Sequence, residues 1–424
     1  VIVRRILNFT IFCLALCILG SGFVAHADEP LNPAARDFLF DEIDLTQKNG
    51  AYLLEGFVAP ANVDAYETGK KVAREKIKDW EASLTREEEK EYFDPKTRID
   101  FKGEIKAFSC VFDKGLRKAC DVEAQILRHV KANEILLERY AQLQKFERVE
   151  SDIRFAAAPS SSLIDTHRLN LARIIVRAKQ GDAEGVMSEW IANTQFWQHV
   201  MEQRKSMVEH AIYMIMLQQN MQALTVLLNE SPSLAHFHQS QIQEILDRPA
   251  FGKNGRDWES TLKGEYQALK ILYNPQNIDL KQVAILQPNC ATNAYYAYSM
   301  DMLRVARAPL EYFNRYYQPF ARKHLQDNFV TCGTVSALLL GGIKKGSPLL
   351  ESGYKQYVHA QALKVFAAAK ARRVSASNMQ GFIKEDAANI VSPWVLQHLK
   401  WHQDKQVLEV TLEDYEREIY YKAE

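Results

Sequence analysis

The stretch LIDTHRLNLARIIVRAKQGDAEGVMSEWIANTQFWQHVM, residues 163–201, decides how the rest of the chain is read. It holds two amphipathic runs that meet at Lys179-Gln180-Gly181-Asp182. Apolar residues recurring every three or four positions over that length predict helices. Gly181 can take the left-handed conformation in which a helix ends, and Asp182 is placed to cap the next one. So short a connection folds the second helix back along the first, giving an antiparallel hairpin.

This unit is similar in form to a tetratricopeptide hairpin, but no second copy follows at a 34-residue period, so a regular array is not expected. On the N-terminal side, ANVDAYETGKKVAREKIKDWEASL puts Val63, Tyr66, Val72, Ile77 and Trp80 near one stripe. Thr85 with Glu88 reads as a capping box opening another helix. In DVEAQILRHVKANEILLERYAQLQKF, Val122, Ile126, Val130, Leu137 and Tyr140 form one apolar face, and a serine-rich loop around Pro159 follows. Beyond the central hairpin, helices are expected at 206–229, 233–247, 256–273, 292–307, 310–327 and 355–371, with Pro232, Pro249, Pro275 and Pro309 at junctions. The end changes period. HLKWHQDKQVLEVTL alternates Leu399 and Trp401, then Leu408, Val410 and Leu412 after a polar turn, which is a β-hairpin with Glu409 and Thr411 facing water. The fold class is therefore mainly α: irregular antiparallel helical hairpins, partly tetratricopeptide-like, with a short C-terminal β-hairpin. Residues 28–390 form the helical domain and 391–424 the hairpin with a charged tail.

The first 27 residues read as a leader. Arg4 and Arg5 precede an apolar run from Ile6 to Leu19, and Ala25-His26-Ala27 offers small residues for signal peptidase before Asp28. Gly20, Ser21 and Gly22 close the run short of the roughly 20 residues a span needs. The expectation is a periplasmic or secreted protein cleaved near Ala27; the alternative is an uncleaved inner-membrane anchor, the only membrane contact foreseen. Acylation at Cys17 is disfavoured because Leu16 precedes it. Lys and Arg together number 53, as do Asp and Glu, and the leader carries two of the cations and no acid. So balanced a chain has no field for nucleic acid, and no basic stripe is present.

With Cys13 and Cys17 in the leader, Cys110, Cys120, Cys290 and Cys332 remain. An even number in an oxidising compartment predicts disulfides. Three pairings are open; the simplest joins Cys110 to Cys120 and Cys290 to Cys332, and closing a loop as short as the first adds roughly 2–3 kcal/mol of stability. The spacing fits neither a zinc site nor a Cys-x-x-Cys redox motif.

Five segments recur in a familiar order: NGAYLLEGFVAP (49–60), ILLERYAQL (135–143), RLNLARIIVRAKQGD (168–182), LQPNCATN (286–293) and SPWVLQHLKWHQDKQVLEV (392–410). On these the chain resembles a family of uncharacterised exported, mainly helical proteins of Gram-negative bacteria. The resemblance implies an export signal, a helical body and a terminal hairpin, and carries no activity or catalytic residue. Where that family tends toward Asn-Pro followed by Gly-Lys, this chain has DNFVTCGTVSALLLGG (327–342).

Motifs that carry chemistry are sparse. In Gly341-Gly342 to Gly346-Ser347 the lysines precede the glycine and Pro348 follows, the wrong order for a phosphate loop. Ser-x-x-Lys occurs at Ser260–Lys263 and Ser352–Lys355 without the companion motifs of serine acyltransferases. His236 and His238 are two apart, His398 and His402 lie in the expected hairpin, and no His-Glu-x-x-His is present, so no metal and no cofactor are expected. The most suggestive stretch is NAYYAYSMDMLRVARAPLEYFNRYYQPF, 293–320. Its rings at helical spacing are what core packing produces, but the excess of tyrosine also suits a groove for a glycan, peptide or lipid. The candidate ligand-binding residues are Tyr295, Tyr298, Arg304, Arg307, Tyr312 and Tyr316. The functional expectation is a non-enzymatic binding or scaffold protein of the cell envelope, its partner an envelope protein or small ligand. The alternative is an envelope hydrolase acting on peptide or glycan.

Overall fold

The computed structural model describes residues 30–38, 46–82, 92–104, 122–152, 161–248, 256–272, 288–323, 346–412 and 415–422. The leader, the Thr85–Glu88 capping box, Pro159 and Gly341-Gly342 lie outside these residues. The described chain is mainly helical with a small antiparallel sheet at its C-terminal end. Its helices are α1 (Pro33–Arg36), α2 (Gly50–Glu55), α3 (Ala65–Ala82), α4 (Glu123–Ala132), α5 (Glu134–Leu143), α6 (Ser161–Lys179), α7 (Ala183–Gln203) and α8 (Met207–Glu230). They continue as α9 (Ser233–Phe237), α10 (Gln239–Leu246), α11 (Arg256–Leu272), α12 (Pro288–Arg307), α13 (Phe313–Ala321), α14 (Gly346–Ala371), α15 (Met379–Glu385) and α16 (Pro393–Leu396). The strands are β1 (Leu399–His402), β2 (Val407–Leu412) and β3 (Tyr415–Tyr420).

The central hairpin forms as α6 and α7, with Gly181 at φ +97° between them. Asp182 does not cap α7; its carboxylate accepts from the Arg177 guanidinium instead. A charged partner five residues back outcompetes a backbone N–H. The expected helix over 121–146 breaks at Asn133 into α4 and α5. The Asn133 side chain accepts from Lys102 N at 2.7 Å and donates to Lys102 O and His129 O, both at 2.9 Å, so it serves a neighbouring segment rather than a continuous helix.

Both α6 and α7 pack on α8, whose N-terminus carries a capping box: Ser206 Oγ accepts from Glu209 N, and the Glu209 carboxylate accepts from Ser206 N. From Tyr213 to Asn229, α8 buries residues on nearly every side, which is why it is apolar enough by composition to cross a membrane. Here it is a core helix with 72% of its most apolar window buried. The second central helix is α14, expected over 355–371 and in fact starting at Gly346. It packs against α8, α9, α10, β2 and β3. A smaller core joins α2 and α5 to α7 and α8 through Leu53, Phe57, Leu136, Trp197 and Tyr213. There α2 crosses α3 at Gly56 and Gly69, where a Cβ on Gly69 would stand 1.7 Å from Tyr52 O.

The C-terminal hairpin forms with Leu399 opposite Val410 and Trp401 opposite Leu408. Residues 415–420, expected as a charged tail, are instead the strand β3, giving the order β1-β2-β3. Ile419 and Tyr421 are buried, and Asn229 at the end of α8 binds this segment twice, donating to Tyr420 O at 2.8 Å and accepting from Lys422 N at 3.0 Å. Burial on one face and these bonds outweigh the charge of Glu416, Arg417 and Glu418.

Candidate functional site

Pro309 ends α12, and a turn closed by Tyr312 N to Pro309 O at 2.9 Å redirects the chain into α13. Phe313, Tyr317 and Phe320 form the buried face of α13 at positions i, i+4 and i+7. Phe313 stacks on Tyr354 of α14, centroids 4.2 Å apart and planes within 8°. Ser392 caps α16, which is opened by Pro393, and places Trp394 5.7 Å from Tyr354 and His398 4.7 Å from Trp394. The result is a continuous aromatic row, Phe313–Tyr354–Trp394–His398, bridging three segments.

A cleft of about 850 Å³, open mouth included, lies between these elements. One wall carries Glu311, Asn314 and Gln318, all exposed and spaced i, i+3, i+7. The other lining residues are Glu351 and Lys355 of α14, Trp394 of α16, and Gln397 and His398 just after it. Leu412 of β2 supplies an apolar contact at the edge. Glu351 pairs with Lys355 at 2.5 Å and accepts from the Tyr317 hydroxyl at 3.4 Å. His398 Nδ1 lies 3.0 Å from Thr411 O. A carbonyl only accepts, so Nδ1 carries the proton and Nε2 is left as an acceptor, 3.4 Å from the Gln397 amide. Among the described residues, Glu311, Asn314 and Gln318 have no side-chain hydrogen bond or ion pair. The cleft thus offers a row of uncommitted polar groups opposite an aromatic row.

The six candidate ligand residues do not come together, and this corrects the expected groove. Tyr295 is fully buried, stacked 5.9 Å from Tyr266, and Tyr298 packs 5.5 Å from Phe320, so neither has surface to give a ligand. Arg304 pairs with Asp301 at 3.3 Å and Arg307 with Glu259 at 2.7 Å, both on the surface. Tyr312 and Tyr316 are exposed but do not line the cleft; their neighbour Tyr317 does. The signal that would have located the cleft is the polar stripe Glu311–Asn314–Gln318, which starts in the turn before the aromatic-rich α13 and continues along it.

Both Ser-x-x-Lys lysines are ion-paired one turn back, Lys263 with Glu259 and Lys355 with Glu351. Among the described residues, no three of His, Cys, Asp and Glu converge as a metal site. Cys290 lies in the first turn of α12 and is disulfide-bonded. Cys110, Cys120 and Cys332 lie outside the described residues, and so does the expected pairing.

A second polar centre is sealed inside the protein. Glu209 accepts from Ser151 Oγ, from Lys205 N at 3.0 Å and from Ser206 N at 3.1 Å, and Glu265 accepts from Met207 N at 2.7 Å. Burial pushes both carboxyls, and that of Glu55, above the ordinary range. Glu209 and Glu265 bind the N–H groups that open α8, which a helix start requires. These groups hold the α7–α8 corner.

No family model, no curated protein and no solved structure matches this chain.

Proposed function

We propose that this is an exported cell-envelope protein that works by binding, with the cleft between α13, α14 and α16 as its ligand site. The observation that carries the reading is that the side chains of the stripe Glu311–Asn314–Gln318, free of hydrogen bonds and ion pairs among the described residues, line the same cleft as Trp394. Ligand sites combine apolar and aromatic surface with a few placed polar groups, and this cleft has that composition. The leader supports a periplasmic or secreted location after cleavage near Ala27, and the disulfide at Cys290 fits an oxidising compartment. The resemblance to exported helical proteins points the same way.

A hydrolase reading has two carboxylates in the cleft, Glu311 and Glu351, as its support. Glu351 is already committed to Lys355 and Tyr317, which weighs against its serving as a proton donor.

Thermal unfolding against small envelope-derived fragments tests the binding reading. A ligand raises Tm in the native protein, and Asn314→Ala with Gln318→Ala abolishes that rise without changing the unliganded Tm. Equal shifts in both proteins place binding elsewhere and overturn the reading. Mass measurement of the mature N-terminus tests cleavage, with Asp28 as the expected first residue.

A further inference from the structure

The cleft's walls differ in a way that selects among ligand chemistries. Glu311, Asn314 and Gln318 run along one stripe over seven residues, about 10 Å of helix, the length of two linked pyranose rings. Each amide offers both donors and acceptors, and the carboxylate offers acceptors only. Adjacent sugar hydroxyls, each donor and acceptor at once, match such a row. Across the cleft, Trp394 is half-buried, its ring held by Tyr354 and His398. An indole face is the partner of the C–H face of a pyranose, whose hydroxyls then point sideways to the amides.

The other classes fit less well. Among the described residues lining the cleft Lys355 is the one lysine or arginine; it is paired with Glu351, which leaves the Glu311 carboxylate unbalanced by either. A phosphate, a uronic acid or a peptide C-terminus would meet repulsion and no free counter-ion. A peptide added as a strand needs an open sheet edge, and β2, the strand that lends Leu412 to the cleft, is the central strand of its sheet. An acyl chain would strip water from the amides without pairing them.

Resting on the reading of this cleft as a ligand site, we infer that its ligand is a neutral glycan: the row Glu311–Asn314–Gln318 binds the hydroxyls of two successive pyranose rings, and Trp394 stacks under one of them.

The test is titration of the whole protein with cellotetraose and N-acetylchitotetraose, with tetra-alanine and tetragalacturonate as contrasts. Binding is followed by calorimetry and by the Trp394 indole N–H resonance, assigned through Trp394→Phe. The expected result is saturable binding of at least one neutral tetrasaccharide with a shift of that resonance, weakened tenfold or more in Asn314→Ala and in Gln318→Ala. Both substitutions are on the surface, and an unchanged Tm verifies that the fold is intact. If only tetra-alanine or tetragalacturonate binds and shifts Trp394, the glycan assignment is overturned and the cleft survives as a ligand site. If none of the four moves the resonance, the glycan assignment fails; if the envelope fragments also leave Tm unmoved, the ligand-site reading fails with it.

Discussion

The Tyr140 hydroxyl lies 2.7 Å from His167 Nδ1, and both side chains are buried. Trp197 Nε1 donates to the same hydroxyl at 2.7 Å, and Asn193 Oδ1 is 2.6 Å away. His167 Nε2 faces the Met216 carbonyl at 3.1 Å, so it holds the ring proton and Nδ1 accepts. The single hydroxyl proton is therefore shared between His167 Nδ1 and Asn193 Oδ1. Tyr140→Phe strands the Trp197 N–H and His167 Nδ1, at about 1–3 kcal/mol for each. Urea unfolding checks this. Replacing His167 with Leu in the same chain removes one stranded group, so the double variant is expected to lose less than the sum of the two single losses.

Stability should fall in acid through buried histidines. Burial lowers His167 to about 3 and His359 to about 4, and pushes His210 well below 6.5. A histidine depressed in the folded state is neutral there while the unfolded chain takes up a proton below pH 6.5. Its contribution is thus present above 6.5 and is lost as pH falls toward the folded value, by about 1.4 kcal/mol per pH unit. The raised carboxyls of Glu55, Glu209 and Glu265 act oppositely, since the folded state holds their protons more tightly. The clean measurement is a difference: between pH 6 and 4, His167→Gln should lose stability less steeply than the parent by about that slope.

Three glycines should respond to alanine, two in one direction and one in the other. At Gly69 a Cβ would stand 1.7 Å from Tyr52 O and at Gly264 1.9 Å from Lys205 O, both backbone atoms that cannot swing aside. Either substitution is expected to cost about 1–3 kcal/mol or more. Gly381, in the exposed middle of α15, has nothing within 4 Å, and Gly381→Ala should stabilise by about 0.5–1 kcal/mol. Thermal midpoints of the three variants settle the signs.

Arg139 acts as a clamp, donating to Phe57 O at 2.8 Å, Ala59 O at 2.6 Å and Pro60 O at 2.9 Å. The fork reaches three carbonyls that an ammonium group cannot reach together. Arg139→Met should cost about 2–4 kcal/mol through unpaired carbonyls, and Arg139→Lys should restore only part of it, read by chemical denaturation.

The fold was readable where the pattern was local. Gly181 announced the α6–α7 turn, and Leu399, Trp401, Leu408 and Val410 announced the hairpin by alternation. What stayed hidden depended on distant partners. Asn133 breaks a periodic helix because Lys102 sits beside it, and Tyr415–Tyr420 pairs as a strand because β2 and Asn229 are already there. Nothing within either segment records those neighbours. The rings of the aromatic stretch divide between core and surface. Which stripe of α13 faces a cleft depends on how α14 and α16 close around it. Tyr317 and Tyr316, adjacent and chemically identical, could not be told apart from spacing alone.

The bonds from Asn229 to Tyr420 and Lys422 span 191 and 193 positions. In synthesis from the N-terminus these bonds cannot form until Tyr420 and Lys422 have emerged. Up to that moment the flank of α14 that β2 and β3 cover is bare. Closure of the far end of α8 against the sheet is therefore timed by the arrival of β3, which acts as its latch.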